Sequence, residues 1–352
     1  MKHISLSPMN NVMPRFYAPL IFAFRCPADQ DDLRVRDLLE RGLHHTSTDI
    51  PSIAGKLCPT VHAHDLRDKL DYDELVEDGL PQDLLDPNRL LPTTEWPDPN
   101  KGVPVFLAQA NFVMGGVLLA VGMYHSTIDG TSCEWLMKKW AEHTRQLQKL
   151  SDGRPLLQIL PRSADPGILE ELWHAQGYTS LTAEELQTNA RGSDDPSLWR
   201  LLGLDSVHKT PSPPFMAELE GPESRSMQAI IRARFPDDYD EESSTNTDDA
   251  VLDTTYDGRL GFSPDLPFTY MASLIFIRTT RILRSQLMSP TTSLRSIAHE
   301  IRQAADKIDS SQMHAAFTLA ASLPQYSKST FPFATFAGAE VCITSWIRLE
   351  PF

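Results

Sequence analysis

Two side chains stand out as candidates for proton chemistry. They are His125 and Asp129, four residues apart in Tyr124-His125-Ser126-Thr127-Ile128-Asp129-Gly130. An imidazole titrates near neutrality, so it can take a proton from a hydroxyl or an amine without a metal. General-base transfer of that kind contributes roughly 10² to 10⁴ in rate. A carboxylate at this spacing can orient the ring as a triad acid does, although a core histidine satisfied by a backbone carbonyl gives the same pattern. Asp129 would serve as a second metal ligand, but no third ligand set stands nearby in the sequence, so no metal is expected. Cys133 lies eight residues beyond His125 within a helical apolar pattern, which points to burial rather than to a nucleophile. The chain has no Gly-x-Ser-x-Gly elbow and no glycine-rich phosphate loop. Base catalysis without a covalent intermediate is the simplest remaining chemistry.

The elements around the histidine must hold it. Gly116-Val117-Leu118-Leu119-Ala120-Val121 has the composition of a strand buried on both faces. Thr131 is expected to open a helix, with Glu134 as its capping-box partner, and Leu136, Trp140 and Leu147 follow at helical spacing. His125 then sits where a buried strand gives way to a helix, a rigid support for a reactive side chain. Val103 to Ala110 and Phe112 to Tyr124 read as adjacent strands. Phe16 to Phe24 reads as another, placed at an edge by Pro19. Leu33, Leu38, Leu39 and Leu43 mark a helix whose last turn is weakened by Gly42 and which Thr46-Ser47-Thr48-Asp49 stops before Pro51. Ile53 to Leu57 reads as a short strand, and residues 63 to 102 show no clean period. Further on, residues 150 to 214 read as a loose crossover and Tyr270 to Ile277 as a strand. Leu294 to Ile308 reads as an amphipathic helix, and Phe336 to Trp346 as a closing strand.

The chain has 352 residues, 41% of them apolar and 22% charged, with a formal net charge of −15. That length favours two domains, taken as 1–205 and 206–352. The acidic balance argues against nucleic acid or an anionic membrane as partner. Cys26, Cys58, Cys133 and Cys342 are scattered, which fits a reducing, cytoplasmic setting. The stretch from Pro236 to Asp253, with seven acidic residues between Asp237 and Asp249, reads as a solvated insertion in the second domain.

The motif at Tyr124 to Gly130, preceded by Phe112-Val113-Met114-Gly115-Gly116, resembles the His-x-x-x-Asp-Gly signature of the BAHD acyltransferases. The likeness is greatest to the fungal branch typified by trichothecene 3-O-acetyltransferase. Leu6-Ser7-Pro8-Met9 with Met13-Pro14-Arg15 is similar to the opening of that branch, and Pro51-Ser52-Ile53-Ala54-Gly55-Lys56-Leu57 to its Pro-x-x-Ala-Gly-x-Leu step. Asp257-Gly258-Arg259 resembles its Asp-x-Arg strand, and Ile343-Thr344-Ser345-Trp346 its Thr-Ser-Trp strand. These landmarks occur in the family's order over nearly the whole chain.

The resemblance implies an α/β fold of two chloramphenicol-acetyltransferase-like domains with a channel between them. It also implies acyl-coenzyme A as co-substrate with no bound cofactor, and transfer, most simply of acetyl, to a hydroxyl of a small secondary metabolite. His125 would be the general base. Asp129 would be structural, paired with Arg259, and Thr344, Ser345 and Trp346 would border the channel. The protein would be monomeric. The chain departs from the family in ending before an Asp-Phe-Gly-Trp-Gly motif, so the second domain is expected to be incomplete. It also carries Tyr270-Met271-Ala272-Ser273 where the family has Tyr-x-Gly-Asn. A truncated homologue that binds ligand without turnover is the alternative reading.

Overall fold

A computed structural model describes residues 5–27, 31–55, 59–98, 102–148, 157–182, 184–185, 197–204, 249–287, 289–305, 308–323, 326 and 340–344. In chain order the elements begin with α1 (Pro8–Val12), β1 (Tyr17–Arg25), α2 (Asp32–Asp49), β2 (Val61–Asp65), α3 (Tyr72–Glu77) and α4 (Pro87–Leu90). Then come β3 (Phe106–Val113), β4 (Gly116–Tyr124), α5 (Gly130–Leu147), α6 (Ile168–Ala175), α7 (Ser197–Leu201), β5 (Asp249–Asp257) and α8 (Arg259–Phe262). The last are β6 (Ile275–Leu283), α9 (Arg284–Leu287), α10 (Leu294–Ala305), α11 (Ser310–Ser322) and β7 (Glu340–Ile343). They fall into two units that are discontinuous in sequence. One is Met13–Pro166 with Pro267–Ser273; the other is Met1–Val12, Gly167–Leu266 and Leu274–Ile347.

The first unit is built on a four-stranded sheet in the order β1-β4-β3-β2, antiparallel except for the β2–β3 pair. Every residue of β3 and β4 is buried, as the apolar run of β4 requires, and β3 buries Gln109 and Asn111 among its apolar residues. β1 lies at an edge, where Pro19 costs no interior ladder bond. The hairpin between β3 and β4 turns at Met114-Gly115 rather than at Asn111, with Gly115 at φ 72°. Asn111 is instead a fully buried strand residue whose amide donates to the Leu90 and Leu118 carbonyls at 3.0 and 3.2 Å.

α2 runs four residues past the expected stop. The hydroxyls of Thr46 and Thr48 donate back to the Gly42 and His44 carbonyls, and Ser47 also donates to His44, so these side chains are absorbed into the helix rather than ending it. Gly42 is not a weak last turn either. It is where α2 passes close to α5, and a Cβ there would overlap Thr144 Oγ1. Trp140 ties the two helices together by donating from Nε1 to the Leu39 carbonyl at 2.8 Å.

The expected strand after Pro51 is replaced by a 3₁₀ turn at Pro51–Ile53, with Gly55 at φ 53°. Lys56 and Leu57 lie outside the described residues. β2, α3 and α4 occupy the region where no period was legible. α3 and α4 are short and begin with aspartates, Asp71 and Asp86, that cap them.

The second unit holds the three-stranded sheet β6-β5-β7, with β5 antiparallel to β6 and parallel to β7. The acidic insertion therefore ends earlier than expected. Asp249–Asp253 belong to β5, and the buried Asp253 accepts from Thr279 Oγ1 at 2.6 Å. Residues 236–248, 211–214 and 221–234 lie outside the described residues. β6 begins at Ile275, five residues after the expected strand start. α10 forms as its apolar period requires, over Leu294–Ala305. α11 carries no strong stripe because it is buried on most sides, and Asp309 and Gln312 close its start as a reciprocal capping box. Among the described residues no helix is long and apolar enough to cross a membrane.

Candidate active site

His125 follows the last residue of β4 and lies in the first unit. Its main-chain N–H donates to the Phe16 carbonyl at 2.9 Å. Its carbonyl accepts from the Ser273 hydroxyl at 3.1 Å. The imidazole stacks on the Phe16 ring, with centroids 5.3 Å apart and planes 26° apart, and Phe16 stacks in turn on Trp96 at 4.6 Å. Directly after it, the Tyr124 carbonyl accepts from the Thr127 hydroxyl at 2.6 Å and from the N–H groups of Thr127 and Ile128, which closes a tight turn. Backbone bonds on both sides and an aromatic face thus fix where the ring stands.

The residue as a whole is half-buried, while its Nδ1 is fully buried and has no hydrogen-bond partner. Its accessible part therefore lies elsewhere in the residue. Burial holds the imidazole below its usual pKa, partly offset by its own main-chain oxygen and by the nearby Asp129 charge. At neutral pH it is uncharged, the form a general base requires.

Asp129 is 3% exposed and is the N-cap of α5, with Oδ1 accepting from the Ser132 N–H at 2.9 Å. The N-cap of α5 is not Thr131, the expected partner of Glu134, but Asp129, two residues earlier. Glu134 instead accepts from Lys138 at 2.7 Å, one turn on. Nδ1 of His125 receives no carboxylate, so the triad-like orientation has no contact to rest on at that nitrogen. Cys133 is fully buried and its thiol is pushed up by burial, which removes it as a nucleophile.

Arg259 lies in the other unit, 3% exposed, at the start of α8. It reaches Asp257, donating to Oδ1 through its main-chain N–H at 3.1 Å and through Nη1 at 2.8 Å. Thr344 follows β7, and its hydroxyl pairs with that of Thr255 at 3.2 Å. Ser345 and Trp346 lie outside the described residues.

Three participants escaped sequence reasoning. Phe16 and Trp96 are far from His125 in the chain and carry no motif. Ser273 appeared only as a departure from a pattern. It closes the segment Pro267–Ser273, which is contributed to the first unit from far down the chain.

Comparison with known proteins adds the following. Residues 58–142, which include His125 and Asp129, match the trichothecene 3-O-acetyltransferase-like N-terminal domain. The acyltransferase easC of Emericella nidulans is 21% identical over 403 aligned residues, covering 99% of this chain and 82% of that protein. Eremophilane O-acetyltransferase prx11 of Penicillium rubens is 24% identical, covering 100% of this chain and 86% of that protein. Among solved structures, F. graminearum TRI101 complexed with coenzyme A and deoxynivalenol superposes with a TM-score of 0.65 at 16% identity, covering 99% and 85% of the two chains. F. sporotrichioides TRI101 complexed with coenzyme A and T-2 gives 0.58 at 18%, covering 98% and 82%. These likenesses are of fold. The mixed α/β architecture with two chloramphenicol-acetyltransferase-like halves, expected from the sequence, is the fold of those structures.

Proposed function

We propose that this chain belongs to the trichothecene 3-O-acetyltransferase-like acyltransferases of the BAHD type, which it resembles, and transfers an acyl group from coenzyme A to a hydroxyl of a small secondary metabolite, with His125 as general base. The observation that carries the reading is the state of that one imidazole. Burial favours its neutral form, its main chain is clamped at both ends, and its Nδ1 is sealed while the residue as a whole is half-buried.

In this scheme the ring nitrogen remote from Nδ1 takes the hydroxyl proton as the acceptor oxygen attacks the thioester carbonyl. A C–O bond forms, the tetrahedral intermediate collapses with loss of the C–S bond, and the imidazolium returns its proton to the departing thiolate. Protons balance over the cycle. Acetyl is the acyl group suggested by the relatives named as acetyltransferases, and a monomeric, cytoplasmic protein completes the reading.

Asp129 acts structurally in this proposal, capping α5 and pairing with Arg259 as the resemblance implies. Thr344, Ser345 and Trp346 are assigned to the coenzyme A passage on the same ground. The direct test is coenzyme A release from acetyl-CoA across a panel of terpenoid and polyketide alcohols. Wild type should turn over at least one acceptor, and His125→Ala should lose about 10² to 10⁴ in rate. Equal rates for the two proteins would remove the proposal.

A further inference from the structure

Strand β6 of the second unit carries two polar atoms without hydrogen-bond partners. They are Nε of Arg278 and Oγ1 of Thr280, and both atoms are buried. Thr280 is 5% exposed and Arg278 is half-buried. Buried polar atoms are nearly always paired, because an unmet donor has lost its hydration for nothing in return. Two such atoms so close together in one strand call for a common cause.

The ladder between β5 and β6 runs without interruption from the Asp249–Leu283 pair to the Asp257–Ile275 pair. Side chains therefore alternate strictly between the two faces of the sheet. Arg278 and Thr280 share one face, where their partners across the ladder are Thr254 and Leu252. Asp253 and Asp257 leave β5 on the other face, and they accept there from Thr279 and Arg259. On the arginine's own side the Thr254 hydroxyl donates to the Arg278 carbonyl at 3.3 Å, and the other near positions are Leu252, Tyr256 and Phe276. Burial lowers the pKa of the guanidinium, and no carboxylate among the described residues offsets that effect.

An unpaired cation beside an unpaired hydroxyl is a donor set suited to an oxyanion. The guanidinium presents its N–H groups as a rigid fork, and the hydroxyl adds a further donor. Residues two apart in a strand are separated by about 7 Å along the backbone. An arginine side chain is long enough to lean across that gap, so one tetrahedral anion can touch both groups.

We propose that Arg278 and Thr280 form a binding site for a phosphate group on β6. Thr255 and Thr344, which pair with each other, lie on the opposite face of the same sheet. The site is therefore separate from the coenzyme A passage of the acyl-transfer reading, and it needs no turnover to be occupied.

The test is thermal unfolding of the full chain at constant ionic strength, titrated with inorganic phosphate and, separately, with adenosine 3′,5′-bisphosphate. A ligand that binds only the folded state stabilises it, so wild type should show a saturable rise in Tm with at least one of the two. Arg278→Gln and Thr280→Val should each raise the apparent Kd at least tenfold. Arg281→Gln removes the same charge from the other face of β6 and should leave it within twofold. A rise with inorganic phosphate identifies a free anion, and a rise with the bisphosphate alone identifies an esterified phosphate; either supports the site. Should Arg278→Gln fail to fold, Arg278→Met, which keeps the apolar stem, takes its place, with binding read by calorimetry and the same tenfold loss expected. No saturable response in wild type to either compound, or a response that survives intact without the guanidinium, overturns the proposal. Binding is read without turnover, so failure of the coenzyme A release assay leaves this result standing, and the reverse holds too.

Discussion

Removing the Phe16 side chain is the perturbation that bears most directly on the site. Its ring covers one face of His125 at 5.3 Å and is itself backed by Trp96 at 4.6 Å. Its carbonyl separately anchors the His125 N–H, and that bond survives a side-chain truncation. An aromatic pair of this geometry is worth about 0.5–1.5 kcal/mol beyond its area. If that preference selects the productive ring orientation, Phe16→Ala lowers its population, and with it kcat, by roughly two- to tenfold.

A second effect has a fixed sign. Burial is the largest cause of the depressed His125 pKa, so opening the face to water raises it toward the ordinary value of about 6.5. The base form is then lost at a higher pH as the solution is acidified. The acid limb of the kcat profile should move upward, and the deficit at pH 6 should exceed that at pH 8. Phe16→Leu, which keeps the face dry, should move the limb less. The assay is a pH series of coenzyme A release, with thermal unfolding as the control for folding. A limb that stays in place or moves down in a folded Phe16→Ala would refute the account of why this imidazole is neutral.

Two further outcomes concern the supports of the site. Asp129→Ala removes the cap of α5, costing about 1 kcal/mol, and should lower Tm by roughly 1–2 °C in a chain of 352 residues. Asp129→Asn keeps an accepting oxygen but not the charge, so a Tm loss beyond that of the cap is expected if the carboxylate pairs with Arg259; wild-type Tm in Asp129→Asn would remove the ion pair from the proposal. Gly42→Ala gains about 1 kcal/mol of helix propensity but drives a Cβ into Thr144 Oγ1 and to 3.2–3.3 Å from the Thr144 main chain. Overpacking of that kind costs about 1–3 kcal/mol, so calorimetry should show a net loss of stability, smaller when Thr144→Ala accompanies it. A stabilised single variant would mean that α2 and α5 can separate at no cost.

Legibility in the sequence followed the range of the interactions involved. β4 was readable because a strand buried on both faces needs an unbroken apolar run, and Gly116 to Val121 supplies one. α10 was readable from its period. α2 was read short, because hydroxyl side chains look like stop signals until their bonds back to helix carbonyls are seen. α11 went unread because a helix buried on most sides carries no stripe, although Asp309 and Gln312 marked its start. The first residues of β5, Asp249 to Asp253, were assigned to an insertion, since cross-strand partners such as Thr279, which pairs with Asp253, lie outside any local window.

At the site, the sequence by itself determined the candidate base and its address. His125 stands between a buried strand and a helix because adjacent residues encode both, and local patterning is enough to say so. What only the tertiary structure decided is the state of that base. The Phe16 ring, the Trp96 backing, the sealed Nδ1 and the Ser273 hydroxyl come from 109, 29 and 148 positions away or from burial itself. The physical reason is that a pKa and a ring orientation are set by what surrounds a group in space, and chain folding brings those surroundings from segments whose own sequence pattern carries no trace of the histidine they serve.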